Sequence, residues 1–207
     1  MNLDLLDQDN LVYVVRHFMS DTECEQLIAV GEAAGFATAP ISTSSGPVIA
    51  TDIRNNTRVM FDRPELADRL WLRTRDLVPE GIEDRDALGL NERFRLYRYD
   101  PGERFAPHYD GAYRRNADEK SELSLMVYLN DGFEGGETRF YHEDHRLRLT
   151  VRPERGMALF FLHCQLHEGS PVRSGRKYVA RTDVMYRQIR YTVAMGEPGH
   201  LAAINER

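Results

Sequence analysis

Hydrophobic and polar positions alternate along this chain in two regimes. Near the start, Leu11-Val12-Tyr13-Val14-Val15 is a short apolar, β-prone run that predicts a strand. Ser20-Asp21-Thr22-Glu23 follows, a serine with glutamate three residues on, which is the capping-box pattern of a helix start. Cys24, Leu27 and Ile28 then recur at helical spacing, with Gly35 as the expected stop. A second helix is predicted over Pro64 to Val78, with proline in its first turn and an apolar stripe of Leu66, Leu70, Trp71 and Leu77. Between the two helices, Thr38 to Asn56 is rich in small and turn-forming residues and reads as a long surface loop, a candidate lid.

From Arg93 the pattern changes to short β-prone segments separated by turn clusters. Strands are predicted over Arg93–Tyr99, Leu123–Asn130, Thr138–His142, Arg146–Val151, Ala158–Leu162, Tyr178–Tyr186 and Gln188–Ala194. So many strands in about a hundred residues point to a sandwich or jelly-roll barrel, with the earlier helices covering one sheet. The organisation expected is one domain over 1–207, with helical support and the lid loop in 1–90 and the β core in 91–194.

Composition narrows the function classes. The 207 residues are 42% hydrophobic and 29% charged, as in ordinary globular proteins. A formal net charge of −6 argues against sequence-independent nucleic-acid binding. No apolar run approaches the ~20 residues of a membrane span. The first residues lack a basic and then apolar leader pattern. Two cysteines, Cys24 and Cys164, cannot build a disulfide framework, and a cytoplasmic protein is expected. The basic residues are nearly all arginine, Lys120 and Lys177 being the only lysines.

The residues that carry chemistry begin with His108-Tyr109-Asp110. In an extended segment, residues two apart project to one face, so an imidazole and a carboxylate share a space. His167 supplies a second imidazole near the end of the β-rich block. Two imidazoles and one carboxylate leave three positions of an octahedral metal open, the ligand set of non-haem Fe(II) oxygenases. His163, four residues earlier, is the rival ligand or a neighbouring core histidine. His142-Glu143-Asp144-His145 reads as a solvated hairpin tip. A chelating co-substrate such as 2-oxoglutarate needs a buried cation for its far carboxylate. Lys177, ten residues after His167, is suited to that task. Arg181 shares its strand face and is the competing cation, able instead to contact substrate or nearby carboxylates. Tyr99 and Tyr128 are candidate phenol donors to the same carboxylate. Gly135 and Gly136 are expected to serve a tight turn or bulge.

Taken together, these pieces resemble the catalytic core of the prolyl 4-hydroxylase-like Fe(II)/2-oxoglutarate-dependent dioxygenases. The similarity runs from Tyr99 through Pro107-His108-Tyr109-Asp110, Val127-Tyr128-Leu129-Asn130-Asp131, Gly135-Gly136-Glu137-Thr138-Arg139-Phe140 and Val151-Arg152-Pro153 to His167-Glu168-Gly169-Ser170-Pro171-Val172 and Gly175-Arg176-Lys177. Phe18 to Cys24 is similar to the family's opening helix start. The resemblance implies a mainly β fold with supporting helices around a double-stranded β-helix (jelly roll). It also implies His108, Asp110 and His167 as iron ligands, Lys177 as the 2-oxoglutarate anchor, and Fe(II), 2-oxoglutarate and O2 as cofactors, with ascorbate a further candidate. The expected reaction couples oxidative decarboxylation of 2-oxoglutarate to succinate with C–H hydroxylation, foremost of a prolyl residue in a peptide or protein. A free amino acid or small metabolite is the alternative substrate, and a metal-holding cupin-like protein without oxygenase chemistry is the alternative class. After Lys177 the chain departs from collagen-type members, reading Tyr178-Val179-Ala180-Arg181 where they often carry tryptophan.

Overall fold

The computed structural model describes residues 1–189 and, beyond them, only the backbone of 191–193 and 203–205. A hairpin of β1 (Asn2–Asp7) and β2 (Val12–Arg16) opens the chain, followed by α1 (Asp21–Ala34). The capping box forms as the sequence predicts: the Glu23 amide donates to Ser20 Oγ at 3.3 Å, and the Ser20 amide donates to the Glu23 carboxylate at 2.9 Å. Gly31 sits inside the helix because a Cβ there would lie 2.9 Å from Leu96 and 2.8 Å from Phe36, so its absence lets α1 seat on the sheet. Gly35, at φ 81°, ends the helix.

The segment expected to be a loop is instead partly ordered into strands. β3 (Ala37–Thr38) joins the main sheet, and β4 (Ile41–Thr43) and β5 (Gly46–Val48) form a small hairpin. Its turn takes Gly46 at φ 112°, which the small residues of this stretch permit. Next come β6 (Thr57–Asp62), α2 (Pro64–Thr74), β7 (Gly81–Ile82) and β8 (Arg85–Leu90). The second helix stops four residues before Val78, where Leu77 turns back to donate to the Thr74 carbonyl. The β-rich part then follows as β9 (Arg93–Tyr99), β10 (Phe105–His108), β11 (Glu119–Tyr128), β12 (Glu134–Gly135), β13 (Thr138–Tyr141), β14 (Leu147–Val151), β15 (Ala158–Leu162), β16 (His167–Gly169), β17 (Val172–Ser174) and β18 (Lys177–Gln188). Of the strand expected over Gln188–Ala194, Gln188 ends β18 and Tyr191–Val193 form β19, paired with β20 (Ala203–Asn205); Ala194 and His200 lie outside the described residues.

Two antiparallel sheets face each other. The larger runs β1-β2-β15-β11-β18-β9-β6-β3, with β8 pairing the far end of β18. The smaller runs β10-β16-β13-β14. Alternation along each central strand divides the interior in two. Phe94 and Leu96, Leu123, Leu125 and Val127, and Ala180 and Val184 turn toward α1 and α2. Tyr97, Tyr99, Tyr128, Val179, Leu159 and Phe161 turn toward the smaller sheet, where Phe140 and Val151 meet them. The helices thus seal one face of the large sheet, and the space between the two sheets holds the polar residues described next. The first 90 residues contribute edge strands to this sheet as well as its helical cover.

Candidate functional site

His108 closes β10 directly across from His167, the first residue of β16, so strand pairing alone brings the two imidazoles together. Asp110 follows two residues on, its amide donating to the His163 carbonyl at 3.1 Å. One ligand atom from each of the three residues lies within 4.8 Å of the others. Each histidine Nε2 is 3.8 Å from an Asp110 oxygen. Both rings are held from behind. His108 Nδ1 donates to the Ala106 carbonyl at 2.8 Å and His167 Nδ1 donates to the Gln165 carbonyl at 2.9 Å. A carbonyl can only accept, so both Nδ1 atoms carry hydrogen and both Nε2 lone pairs point into the shared space. Burial, reinforced by the neighbouring ring, pushes the His108 pKa down to about 3, and burial also lowers His167. Both rings are therefore neutral at pH 7, as metal ligands must be.

Asp110 completes the charge logic. Burial alone would raise its pKa, but Arg181, then the two histidines and Ser124, more than offset this and hold the carboxyl below its ordinary range. Arg181 Nη1 lies 2.9 Å from Asp110 Oδ1, and Ser124 Oγ donates to Oδ2 at 2.5 Å. Because Ser124 donates to the carboxylate, it accepts from His163 Nδ1 at 3.0 Å, which leaves His163 Nε2 to accept from Ser121 Oγ at 2.8 Å. Both nitrogens of His163 are thereby used, and this histidine supports the carboxylate instead of joining the triad. Arg181 also donates to Asp183 at 3.0 Å, and Asp183 in turn receives Arg95 at 3.0 Å and Asn91 at 3.2 Å. Of the roles open to Arg181 in the sequence, the contact with nearby carboxylates is present, and the residue also lines the cavities on both sides of the triad. Two neutral imidazoles and one ionised carboxylate, converging on one space, are a donor set that fits a divalent iron.

On one side of the triad lies an inner cavity reaching Lys177, Tyr99, Thr138 and Met126. Lys177, 2% exposed, donates to the Gly136 carbonyl at 2.6 Å, and its Nζ sits 5.1 and 5.4 Å from the ring centres of Tyr99 and Tyr128. The Tyr128 hydroxyl pairs with Thr138 Oγ1 at 2.7 Å. An ammonium has three hydrogens, and one acceptor serves only one of them. Burial lowers the Lys177 pKa to about 7, with Glu137 the only opposing influence. A buried ammonium so poorly matched is costly unless an anion joins it, and the far carboxylate of 2-oxoglutarate fits that need. Gly136, at φ 65°, turns the chain as the sequence predicts. Its carbonyl is in addition the lysine's partner, and a Cβ there would lie 3.0 Å from Lys177 Cδ.

On the other side lies a wider outer cavity of about 300 Å³, bordered by Pro40 and Ile41 at the hairpin and by Arg54, Arg58, Arg95 and Tyr109. Arg54 and Phe105 are the contributors that motif spacing alone leaves out. Phe105 stacks on His108 with ring centres 3.5 Å apart, and Arg54 lies 4.3 Å above Phe105. The alternation Arg95-Tyr97-Tyr99, all on one strand face, is the signal that could have exposed this wall. The remaining candidates are elsewhere: His142 and His145 are exposed at a hairpin tip, and Cys164 is exposed and unpaired.

Comparison with known proteins agrees with this geometry. Residues 94–182 match the family model described as the 2OG-Fe(II) oxygenase superfamily. A protein named probable prolyl 4-hydroxylase 3, from Arabidopsis thaliana, is 24% identical over 84% of this chain and 69% of its own. Among solved structures, the viral collagen prolyl hydroxylase of Paramecium bursaria Chlorella virus-1 in a 2-oxoglutarate complex superposes with a TM-score of 0.60 at 22% identity, covering 88% of this chain and 99% of the viral one. A Trichoplax adhaerens prolyl hydroxylase bound to a hypoxia inducible factor oxygen degradation domain peptide fragment gives 0.66 at 16% identity, covering 84% and 83%. These likenesses bear out the jelly roll and do not favour a metal-holding protein without oxygenase chemistry. Family match over residues 94–182, relatives and the His-Asp-His cluster converge, and together they support a prolyl 4-hydroxylase-like 2OG-Fe(II) oxygenase, of the kind that uses Fe(II), 2-oxoglutarate and O2.

Proposed function

We propose that His108, Asp110 and His167 hold the iron, that Lys177 anchors 2-oxoglutarate, and that the substrate is a prolyl residue in a peptide or protein. The observation carrying this reading is the pairing of a converged His-Asp-His cluster with a buried, under-partnered lysine across one cavity. When bound, iron and co-substrate supply the oxidation: 2-oxoglutarate and O2 yield succinate, carbon dioxide and one oxygen atom inserted into a C–H bond.

The chain's own residues prepare that chemistry. Ala106 and Gln165 carbonyls lock the two imidazoles in the tautomer that presents Nε2. Arg181 and Ser124 keep Asp110 ionised and orient its two oxygens. The Lys177 ammonium, walled by Tyr99 and Tyr128, draws the distal carboxylate inward and leaves the keto-acid end toward the triad. Tyr99 and Tyr128, both buried, exclude water from that end. Substrate enters from the outer cavity. The prolyl assignment is supported by relatives named as prolyl 4-hydroxylases and by the peptide held by the Trichoplax structure.

Two unpaired cysteines, Cys24 and Cys164, suit a reducing compartment such as the cytoplasm, and among the described residues no helix is long and apolar enough to cross a membrane. The test is mass spectrometry for a +16 Da product on capped prolyl peptides, with free proline in parallel. A product requiring iron, 2-oxoglutarate and O2 on the peptides supports the reading. A product on free proline alone would shift it to the amino acid.

A further inference from the structure

The outer cavity holds more positive charge than its neighbours neutralise. Four guanidinium groups line it, those of Arg54, Arg58, Arg95 and Arg181. Two carboxylates face them, and both are already engaged: Asp110 by Arg181, and Asp183 by Arg181 and Arg95. Arg58 and Arg54 are left over. The Arg58 guanidinium, half-buried on β6 beside Tyr97, makes no hydrogen bond or ion pair among the described residues, and its charged neighbours are Arg54, Arg95 and Arg181. Burial, helped by these like charges and opposed by Tyr97, lowers its pKa. Arg54, 4% exposed, donates from Nε to Asn56 at 2.8 Å and lies 4.8 Å above the Tyr97 ring, but its Nη2 is buried with no acceptor at all. Buried polar groups are ordinarily satisfied, and a charged donor without an acceptor is costly.

Tyr97, in the middle of the four, reports the same field. Burial would raise its pKa, yet Arg181, Arg54 and Arg95 bring it below the ordinary phenol value. This excess sits in a chain whose formal net charge is −6, so it is a local concentration and not a general basic surface.

We propose that the outer cavity is an anion-recognition site, in which Arg58 and Arg54 select a substrate bearing a carboxylate close to the carbon that is hydroxylated. This rests on the oxygenase reading and deepens it by naming the substrate's charge. The carboxylate belongs to an acidic residue flanking the proline or to a free chain terminus beside it. The co-substrate does not fill the role, since its distal carboxylate is drawn to Lys177 on the far side of the triad.

The test uses three capped peptides with the iron-loaded enzyme: acetyl-Ala-Pro-Asp-amide, its twin acetyl-Ala-Pro-Asn-amide, and acetyl-Ala-Pro with a free C-terminal carboxylate. At least one carboxylate peptide is expected to show a KM about tenfold below the Asn twin. Arg58→Gln is expected to remove that advantage by raising the KM of the carboxylate peptide about tenfold while moving the twin less than about twofold, and Arg58→Lys to retain part of it. Which carboxylate peptide gains identifies the source of the anion. Equal KM values for all three, or an Arg58→Gln loss shared by the twin, would overturn the proposal. Binding is read separately, by titrating the same peptides into enzyme loaded with iron and 2-oxoglutarate under argon. Tighter binding of a carboxylate peptide without any +16 Da product would support the anion site and count against the prolyl assignment alone. Absence of any carboxylate-dependent binding would overturn the anion site.

Discussion

The two faces of the large sheet are made by the same strands and differ in almost every other respect. Toward the helices, β9, β11 and β18 present Phe94, Leu96, Leu123, Leu125, Val127, Ala180 and Val184, an apolar layer sealed by α1 and α2. Toward the smaller sheet, the intervening residues are Arg95, Tyr97, Tyr99, Ser124, Tyr128, Lys177, Arg181 and Asp183, most of them buried and several charged. The helix face supplies the hydrophobic stabilisation. The site face is held in place by it, and keeps charges in a desolvated space where each needs a specific partner. One face makes the fold stable and the other makes it reactive, and substitutions on the two should separate cleanly.

The largest expected separation comes from the triad. His167→Ala should reduce iron-dependent succinate formation by about 10³-fold or more while the circular-dichroism spectrum stays that of the folded β protein. It should also abolish the weak visible charge-transfer band of the anaerobic Fe(II)–2-oxoglutarate complex. Succinate production at the wild-type rate would remove His167 from the ligand set. On the opposite face, Phe160→Ala should cost about 3–5 kcal/mol of stability in urea denaturation. Phe160 is fully buried, stacked on Tyr13 at 4.9 Å and edge-on to Phe18 at 6.1 Å. Its folded fraction should keep the charge-transfer band; a band lost without unfolding would show that the two faces are not separable.

Lys177→Ala should raise the KM for 2-oxoglutarate about 30- to 100-fold, as loss of a charge-assisted hydrogen bond predicts, with a smaller change in kcat. An unaltered KM would assign the anchor to another cation. The smallest expected effect is on pH. Burial brings the Lys177 pKa to about 7, so its cationic form is complete below that value and lost as pH rises through it. Binding of 2-oxoglutarate should therefore weaken about tenfold between pH 6 and pH 8, measured by anaerobic titration. An affinity flat across that range would mean the lysine stays fully charged in the working site.

A good part of this was legible in the residue order. Alternation predicted most strands of the second half, the capping box marked the start of α1, and His108, Asp110, His167 and Lys177 stood out by type and spacing. These signals are local: a strand period of two or a His-x-Asp step is written into adjacent residues. The hairpin within Thr38 to Asn56 is not legible in the sequence because small and turn residues carry no periodicity, and its place in the wall of the outer cavity comes from what it packs beside.

What the sequence determined by itself is therefore the order of elements, the two alternating faces and the identity of the chemical groups. Tertiary structure alone decided the partnerships: Arg181 with Asp110 and Asp183, Lys177 with the Gly136 carbonyl, His163 behind Ser124, and Arg54 and Arg58 left without anions. The physical reason is that the energy of a buried charge depends on what surrounds it in space after water has been removed. Those surroundings come from β6, β9, β11, β13 and β18 at once, and no stretch of sequence encodes them until the sheets close.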